Sequence, residues 1–275
     1  SLTSLDITNF NTGNVKDMTK MFEYLKLTSL DVSHFNTENV EYMLDMFAEM
    51  YNIVSLDVSR FKTSKVKDMA GMFYACNKLT KLEVSGFDTS NVEDFSYQFY
   101  GCKYLTSLDV SHFKTSNGND MSFMFNYCSS MPSIDLSSFR TPKVENMGSM
   151  FSYCGALTSL DLSNFDTGEV DDLKRFVKGC TKLVEIRFPS NFNTRYVRDM
   201  QEMFFMAEGL TSLTLSLNTE NVLNMQYMFY GCTNLATLDI TSFRTSKVTT
   251  MEGMFSSCPK LTNLNLNNFD VKQVT

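Results

Sequence analysis

LTKLEVSGFDTSNVEDFSYQFYGCKY, Leu79–Tyr104, is followed at once by LTSLDVSHFKTSNGNDMSFMFNYCSS, Leu105–Ser130. Laid over one another, the two segments agree column by column. Leu79, Leu82, Val84, Phe87, Thr89, Phe99 and Cys102 recur as Leu105, Leu108, Val110, Phe113, Thr115, Phe125 and Cys128. A fixed period of this kind is the signature of a stacked-repeat architecture. Working outward, the opening L-x-x-[LI]-x-[VIL] begins at residues 2, 27, 53, 79, 105, 131, 157, 183, 210, 235 and 261. The steps are 25 or 26 residues, except for one of 27 between Leu183 and Leu210, where a residue is gained around Pro189-Ser190. The step that follows is 25, and Leu217 stands where the other units have Phe. The reading is one solenoid over residues 1–275.

Within each unit the apolar residues alternate, as in Leu56 and Val58 or Leu160 and Leu162. Period-two alternation rich in β-branched residues predicts a short strand with one buried face. About eleven such strands in register predict one parallel sheet roughly 50 Å long at about 4.8 Å per strand. The return path reads V-x-x-M-x-x-M-F-x-x-C, as in Val66, Met69, Met72, Phe73 and Cys76. Spacings of this kind suit the inner stripe of a short helix, and a 3₁₀ segment or a second short strand are the alternatives. Asn14 to Asp17, Asn91 to Asp94 and Asn117 to Asp120 have N-cap to N3 spacing. The fold class predicted is an α/β repeat solenoid with helical or 3₁₀ return segments. One unit cannot bury its own apolar edge, so stability accrues between neighbours. Neither end shows a polar cap, and the chain starts and stops in mid-pattern, which predicts a fragment of a longer surface protein.

The segments "LTSLDVSHFNTENV", "FYACNKLTKLEVSGFDTSNVEDF" and "MFSYCGALTSLDLSNFDTGEV" resemble the 26-residue bacterial surface protein repeat of the BspA-type leucine-rich-repeat family, found in mycoplasma lipoproteins among others. The resemblance covers essentially the whole chain. It implies a right-handed solenoid, display on a cell surface and an adhesive or partner-binding role, and it supplies no catalytic residues. The units from Leu183 and Leu210 depart from the pattern. There Arg187 and Thr214 replace the usual Asp, and Ala207 replaces Cys.

Composition narrows the function classes. The formal net charge is −7 with 24 Lys+Arg, which argues against gripping a phosphate backbone. No run of about 18 apolar residues exists to span a bilayer. The chain carries no P-loop and no G-x-G-x-x-G or G-x-S-x-G. Its two histidines, His34 and His112, lie three units apart and cannot form a dyad. No enzyme activity is predicted.

The seven cysteines (Cys76, Cys102, Cys128, Cys154, Cys180, Cys232 and Cys258) fill one column that elsewhere holds Leu25, Met50 and Ala207. Such interchange marks an apolar packing position, so they are expected to be structural, buried, reduced thiols rather than bridges or zinc ligands.

Two surfaces are candidate ligand sites. On the outer face of the strands, Asp6, Asp31, Asp57, Glu83, Asp109, Asp135, Asp161, Arg187 and Asp239 form a row flanked by Ser. In-register carboxylates about 5 Å apart repel, which predicts raised carboxylate pKa values and a need for hydroxyls, a cation or a cationic partner. A solvated face is the plainer reading. Calcium is the weaker alternative as a cofactor, because Ca²⁺ takes six to eight oxygens and one row offers too few. The second surface is lateral. Tyr74, Tyr97, Tyr100, Tyr104, Phe123, Tyr127 and Tyr153 crowd columns that elsewhere hold small or charged residues. Tyr is a good contact residue, so this is a candidate patch for a protein, with a glycan as the alternative ligand. Mutual stacking for stability is the competing explanation.

The leading expectation is a cell-surface or extracellular recognition and adhesion module that binds a protein of the host matrix or of a neighbouring cell. A structural spacer or end-to-end self-associating stalk is the rival. An intracellular interaction scaffold, allowed by the unpaired cysteines, is the third.

Overall fold

The computed structural model describes residues 2–190 and 192–275. It is a repeat solenoid: consecutive coils of about 26 residues lie on one another, so that each column of the sequence becomes a file running along the stack. The Leu, Val, Met, Phe and Cys columns turn inward and form one apolar core extending from Ile7 to Met254. Phe47, Phe73, Phe99, Phe125 and Phe151 stack ring on ring at 5.5–5.8 Å between centroids. The stack is interrupted where the sequence exchanges neighbours. Phe176 occupies a Met column and Val177 the Phe column, and Phe151 meets Phe176 edge-on at 86°. It resumes at Phe204 and Phe229.

The strand side is less continuous than the alternation predicts. Six three-residue strands are present among the described residues: β1 (Ser55–Asp57), β2 (Lys81–Glu83), β3 (Ser159–Asp161), β4 (Glu185–Arg187), β5 (Ser212–Thr214) and β6 (Thr237–Asp239). They pair in parallel as β1-β2, β3-β4 and β5-β6, not as one sheet of about eleven. Register is as the repeat requires, with Leu56 beside Leu82, Leu160 beside Ile186 and Leu213 beside Leu238.

The return side carries the continuous ladder, and no helix is found among the described residues. Parallel bridges link Asp17, Tyr42, Asp68, Asp94, Asp120, Asn146, Asp172, Asp199, Asn224 and Thr250 in unbroken succession. Beyond each bridge the backbone amides alternate between two tasks. The N–H groups of Met69, Gly71, Phe73 and Ala75 donate to Asp94, Ser96, Gln98 and Tyr100 of the next coil, at 2.7–3.2 Å. Those of Met72, Tyr74 and Cys76 turn back to the carbonyls three residues earlier. Every coil places two residues in the left-handed region four apart, such as Gly71 (φ 59°) and Ala75 (φ 55°), or Phe123 (φ 58°) and Tyr127 (φ 59°). A right-handed helix cannot contain them. Inward positions at 3, 6, 7 and 10 serve this turn repeat of period four as well as they serve a helix, which is why the spacing misleads. The Asn and Asp read as caps do other work. Asn91 and Asn117 Nδ2 donate to the carbonyls of Ser64 and Ser90 one coil back (both 2.7 Å).

A threonine file clamps the coils further. The Thr at positions 12, 37, 63, 89, 115, 141, 167, 194, 219 and 245 is buried in every coil. Thr115 Oγ1 donates to the Arg140 carbonyl (2.8 Å) and accepts from the Arg140 N–H (2.9 Å). Thr63 does the same with Asp88, and Thr89 with Lys114. One hydroxyl thus satisfies both backbone groups of a residue in the next coil, which buried backbone requires.

Candidate functional site

The Ser-Asp-Ser file lies on the exposed strand face, and its carboxylates are engaged locally. Asp31, Asp57, Asp135 and Asp161 Oδ1 accept the N–H of the Ser two residues on, at 2.9–3.0 Å. Asp6, Asp109 and Asp239 accept both the N–H and the hydroxyl of Thr8, Ser111 and Thr241. Each Asp therefore holds the turn that ends its strand. Glu83, one methylene longer, instead lies 3.5 Å from Lys81 Nζ. Arg187 bonds Glu185 (2.8 Å) and lies 3.9 Å from Asp161.

Repulsion along the file does not set the titration. In Asp31, Asp57, Asp109, Asp135 and Asp161 the Ser hydroxyl, then the Ser N–H, holds the carboxyl below its ordinary value. In Asp6 and Asp239 the N–H contributes most and the Thr hydroxyl follows. This reverses the expected direction, because hydrogen bonds to the charged form outweigh like charges in an aqueous face. A carboxylate lowered on folding contributes stability that is present above its unfolded pKa, about 3.9 for Asp, and lost as pH falls through the lower folded value. Urea melts between pH 5 and pH 2 are expected to show that loss. Asn at 57, 109 and 135 keeps the turn acceptor but cannot titrate, and should flatten the acid limb.

A second Asp file reads in the sequence only as helix-cap partners, at Asp17, Asp94 and Asp120. Asp68, Asp94, Asp120, Asp172 and Asp199, at the return-side bridges, each accept the N–H two residues on at 2.7–2.8 Å. Burial raises Asp68 and Asp172, opposite to the strand-face file. The signal was available: the column V-x-[DN]-[MFL] interchanges Asp with Asn, as a turn acceptor does and a charge-dependent site does not.

The cysteines are all free, and six of the seven are buried, with Cys258 half-buried. Each Sγ donates to a Phe carbonyl of the preceding coil, as from Cys76 to Phe47 (3.2 Å). Burial pushes the thiols of Cys76, Cys128, Cys180 and Cys232 up to about 12. That environment suppresses thiolate chemistry. His34 and His112 Nε2 lie 2.8 and 3.1 Å from the carbonyls of Ile7 and Val84, one coil back. Among the described residues no three His, Cys, Asp or Glu side chains gather to hold a metal ion. Nor, among the described residues, is any helix long and apolar enough to cross a membrane.

On the return side, six of the seven aromatic residues come together. Tyr74 stacks on Tyr100 (4.8 Å), Tyr97 on Phe123 (4.5 Å) and Tyr127 on Tyr153 (4.4 Å). Tyr100 joins the sets, edge-on to Tyr127 at 5.9 Å. Tyr104 is exposed but makes no ring contact with them, since it lies past the Cys corner toward the strands. Tyr97, Phe123, Tyr127 and Tyr153 all occupy left-handed positions, which direct their rings outward from the ladder. The strip is longer than its sequence cluster. Lys178 Nζ lies 5.9 Å from the Tyr153 ring and 4.6 Å from Phe205, which stacks on Tyr230 at 4.9 Å. Glu202 anchors Lys178 (2.8 Å) and Arg175. These members were missed because a lone Lys or Phe in the column gives no local cluster.

The family described as "Mycoplasma protein of unknown function, DUF285" matches residues 1–104, 79–188 and 172–275. No curated protein matches the chain. Similar solved structures include a leucine rich cell surface protein from Faecalibacterium prausnitzii A2-165 (18% identity, 90% of this chain and 69% of that one, TM-score 0.44). A leucine-rich repeat protein from Eubacterium ventriosum has 14% identity over 85% of this chain and 83% of its own, with a TM-score of 0.37. One from Bacteroides ovatus has 15% identity over 78% and 67%, with a TM-score of 0.33.

Proposed function

Starting from the fact that the chain belongs to the DUF285 family of mycoplasma proteins, we propose a non-enzymatic recognition module, displayed on the cell surface, that binds a protein partner. The observation that carries the reading is the aromatic strip. Four of its rings, Tyr97, Phe123, Tyr127 and Tyr153, fill outward left-handed positions that the core does not need. A left-handed L-residue costs roughly 1–2 kcal/mol, and Gly stands at equivalent positions in other coils. Rigid, half-exposed Tyr rings are what a protein contact uses. The strand-face Asp file has the humbler role of holding turns, with its second carboxylate oxygens left to the solvent or to the rim of a complex.

Capture on immobilised extracellular-matrix proteins and glycans tests this, with Tyr100→Ser/Tyr127→Ser as the variant. Loss of about 2 kcal/mol at a contact of this type is roughly thirtyfold in affinity. Capture of a matrix protein should fall by at least tenfold while the melting temperature falls only a few degrees. A variant that melts far lower yet binds undiminished would show the strip to be stacking for stability alone, and capture of glycans only would remove the protein partner.

A further inference from the structure

The left-handed column that carries Tyr97 and Phe123 is not filled evenly. At Gly253 it lacks a side chain, and the vacated space is taken by the flat ring of Tyr227 from the preceding coil; Gly179, in the second left-handed column four residues on, is covered in the same way by Tyr153. Gly71 is the third such notch. There the preceding coil offers the Asp45 carboxylate instead, which lies against the Gly71 backbone. What remains is an open groove of about 500 Å³. Tyr24, Tyr74 and Tyr97 stand on its walls, with Asp45, Glu49 and Asp94 between them. Tyr24 is 58% exposed and Tyr97 37% exposed, so the rings have free surface.

One basic group lines the groove. Lys20 reaches in to 3.1 Å from Glu23 and 3.4 Å from Asp45. Among the described residues neither Glu49 nor Asp94 has a basic partner within ion-pair distance. With Asp45 filling the notch itself, the groove beside it, walled by Tyr rings and lined by Glu23, Asp45, Glu49 and Asp94 against the single Lys20, selects a group that is flat and positively charged. Guanidinium is planar, stacks on aromatic faces and meets carboxylates with paired N–H donors. An ammonium offers the charge without the plane.

We infer that the Gly71 groove binds the guanidinium of an arginine side chain presented by the protein partner, with Lys20 as the competing internal cation. This rests on the recognition reading and specifies the partner's chemistry at one end of the strip.

The chain has no Trp, and three of its 12 Tyr line the groove, so binding is read as a change in tyrosine emission that Tyr24→Phe should reduce. The probes are acetyl-Gly-Arg-Gly-amide and its citrulline and lysine counterparts, titrated into the 275-residue chain. The arginine peptide should bind at least tenfold more tightly than citrulline, which keeps the shape and loses the charge, and severalfold more tightly than lysine. Asp45→Asn should weaken it about tenfold, Gly71→Tyr should block it by displacing the Asp45 carboxylate and covering the groove, and Lys20→Met should strengthen it severalfold. Equal binding of arginine and citrulline, or indifference to both Asp45→Asn and Lys20→Met, would overturn the assignment. Lysine binding as tightly as arginine would overturn its planar specificity. Because these probes do not involve Tyr100 or Tyr127, a failure here leaves matrix-protein capture by the strip intact, and loss of that capture leaves the peptide result standing.

Discussion

Gly118→Val, which restores the residue found at that column in ten other coils, should destabilise the protein by about 1–3 kcal/mol, the cost of overpacking a filled core. The column otherwise reads Val15, Val40, Val66, Val92, Val144, Val170, Val197, Val222, Val248 and Val274. The exception is matched by a second one a coil earlier, where Phe95 replaces the usual Met. A Cβ on Gly118 would lie 3.0 Å from both Cδ2 and Cε2 of Phe95, and both residues are buried. The larger ring thus occupies the volume that valine would need. Phe95→Met alone should leave a void and cost about 1–2 kcal/mol. The double variant restores the ordinary pair and should recover most of the loss, which gives a coupling energy of opposite sign to the single effects. Chemical denaturation of the four proteins measures it. Additive losses would mean that the two exceptions arose independently.

Thr115→Val should be more damaging than Thr115→Ser, the reverse of what burial alone predicts. Thr115 is fully buried, and valine is its isostere with a methyl in place of the hydroxyl. The substitution removes the acceptor of the Arg140 N–H and the donor to the Arg140 carbonyl together. A buried polar group left unpaired costs about 1–3 kcal/mol, so two of them place the loss near 2–5 kcal/mol. Serine keeps both bonds and forfeits one methyl, about 1 kcal/mol. Since Thr63 and Thr89 use the same device with Asp88 and Lys114, Thr63→Val and Thr89→Val should behave alike. Equal stability of the Val and Ser variants would show that water reaches the Arg140 backbone.

The period, the inward columns and the buried thiols were legible because they depend on side-chain volume and polarity, which a sequence states directly. Leu56 facing Leu82 follows from the period alone. The return path was not legible, because Met69, Met72, Phe73 and Cys76 fit a helix and a turn repeat equally. What decides between them is where the intervening amides bond, and the amide of Phe73 chooses Gln98 of the next coil. The sign of the aspartate titration was lost for a related reason. Spacing between coils is visible in the sequence, whereas the short reach from Asp57 to Ser59 depends on the turn that closes over it. The lateral aromatic cluster could be seen, but Tyr104 could not be separated from it until the corner after Cys102 was placed. Gly71 looked like an ordinary glycine until Asp45 was found beside it.

The uneven bonding of the two sides gives the molecule a spine and a fore-edge. Along the return side every leaf is stitched to the next, while on the strand side the strands join only two by two, with single bonds such as Val54 to Thr28 and Thr158 to Pro132 between some of the other leaves. Between the coils that begin at 79, 105 and 131 the fore-edge gapes into a cleft of about 670 Å³ bounded by Glu83, Asp109 and Asp135. Such a body is expected to bend by fanning its free edge rather than by stretching along its sewn side.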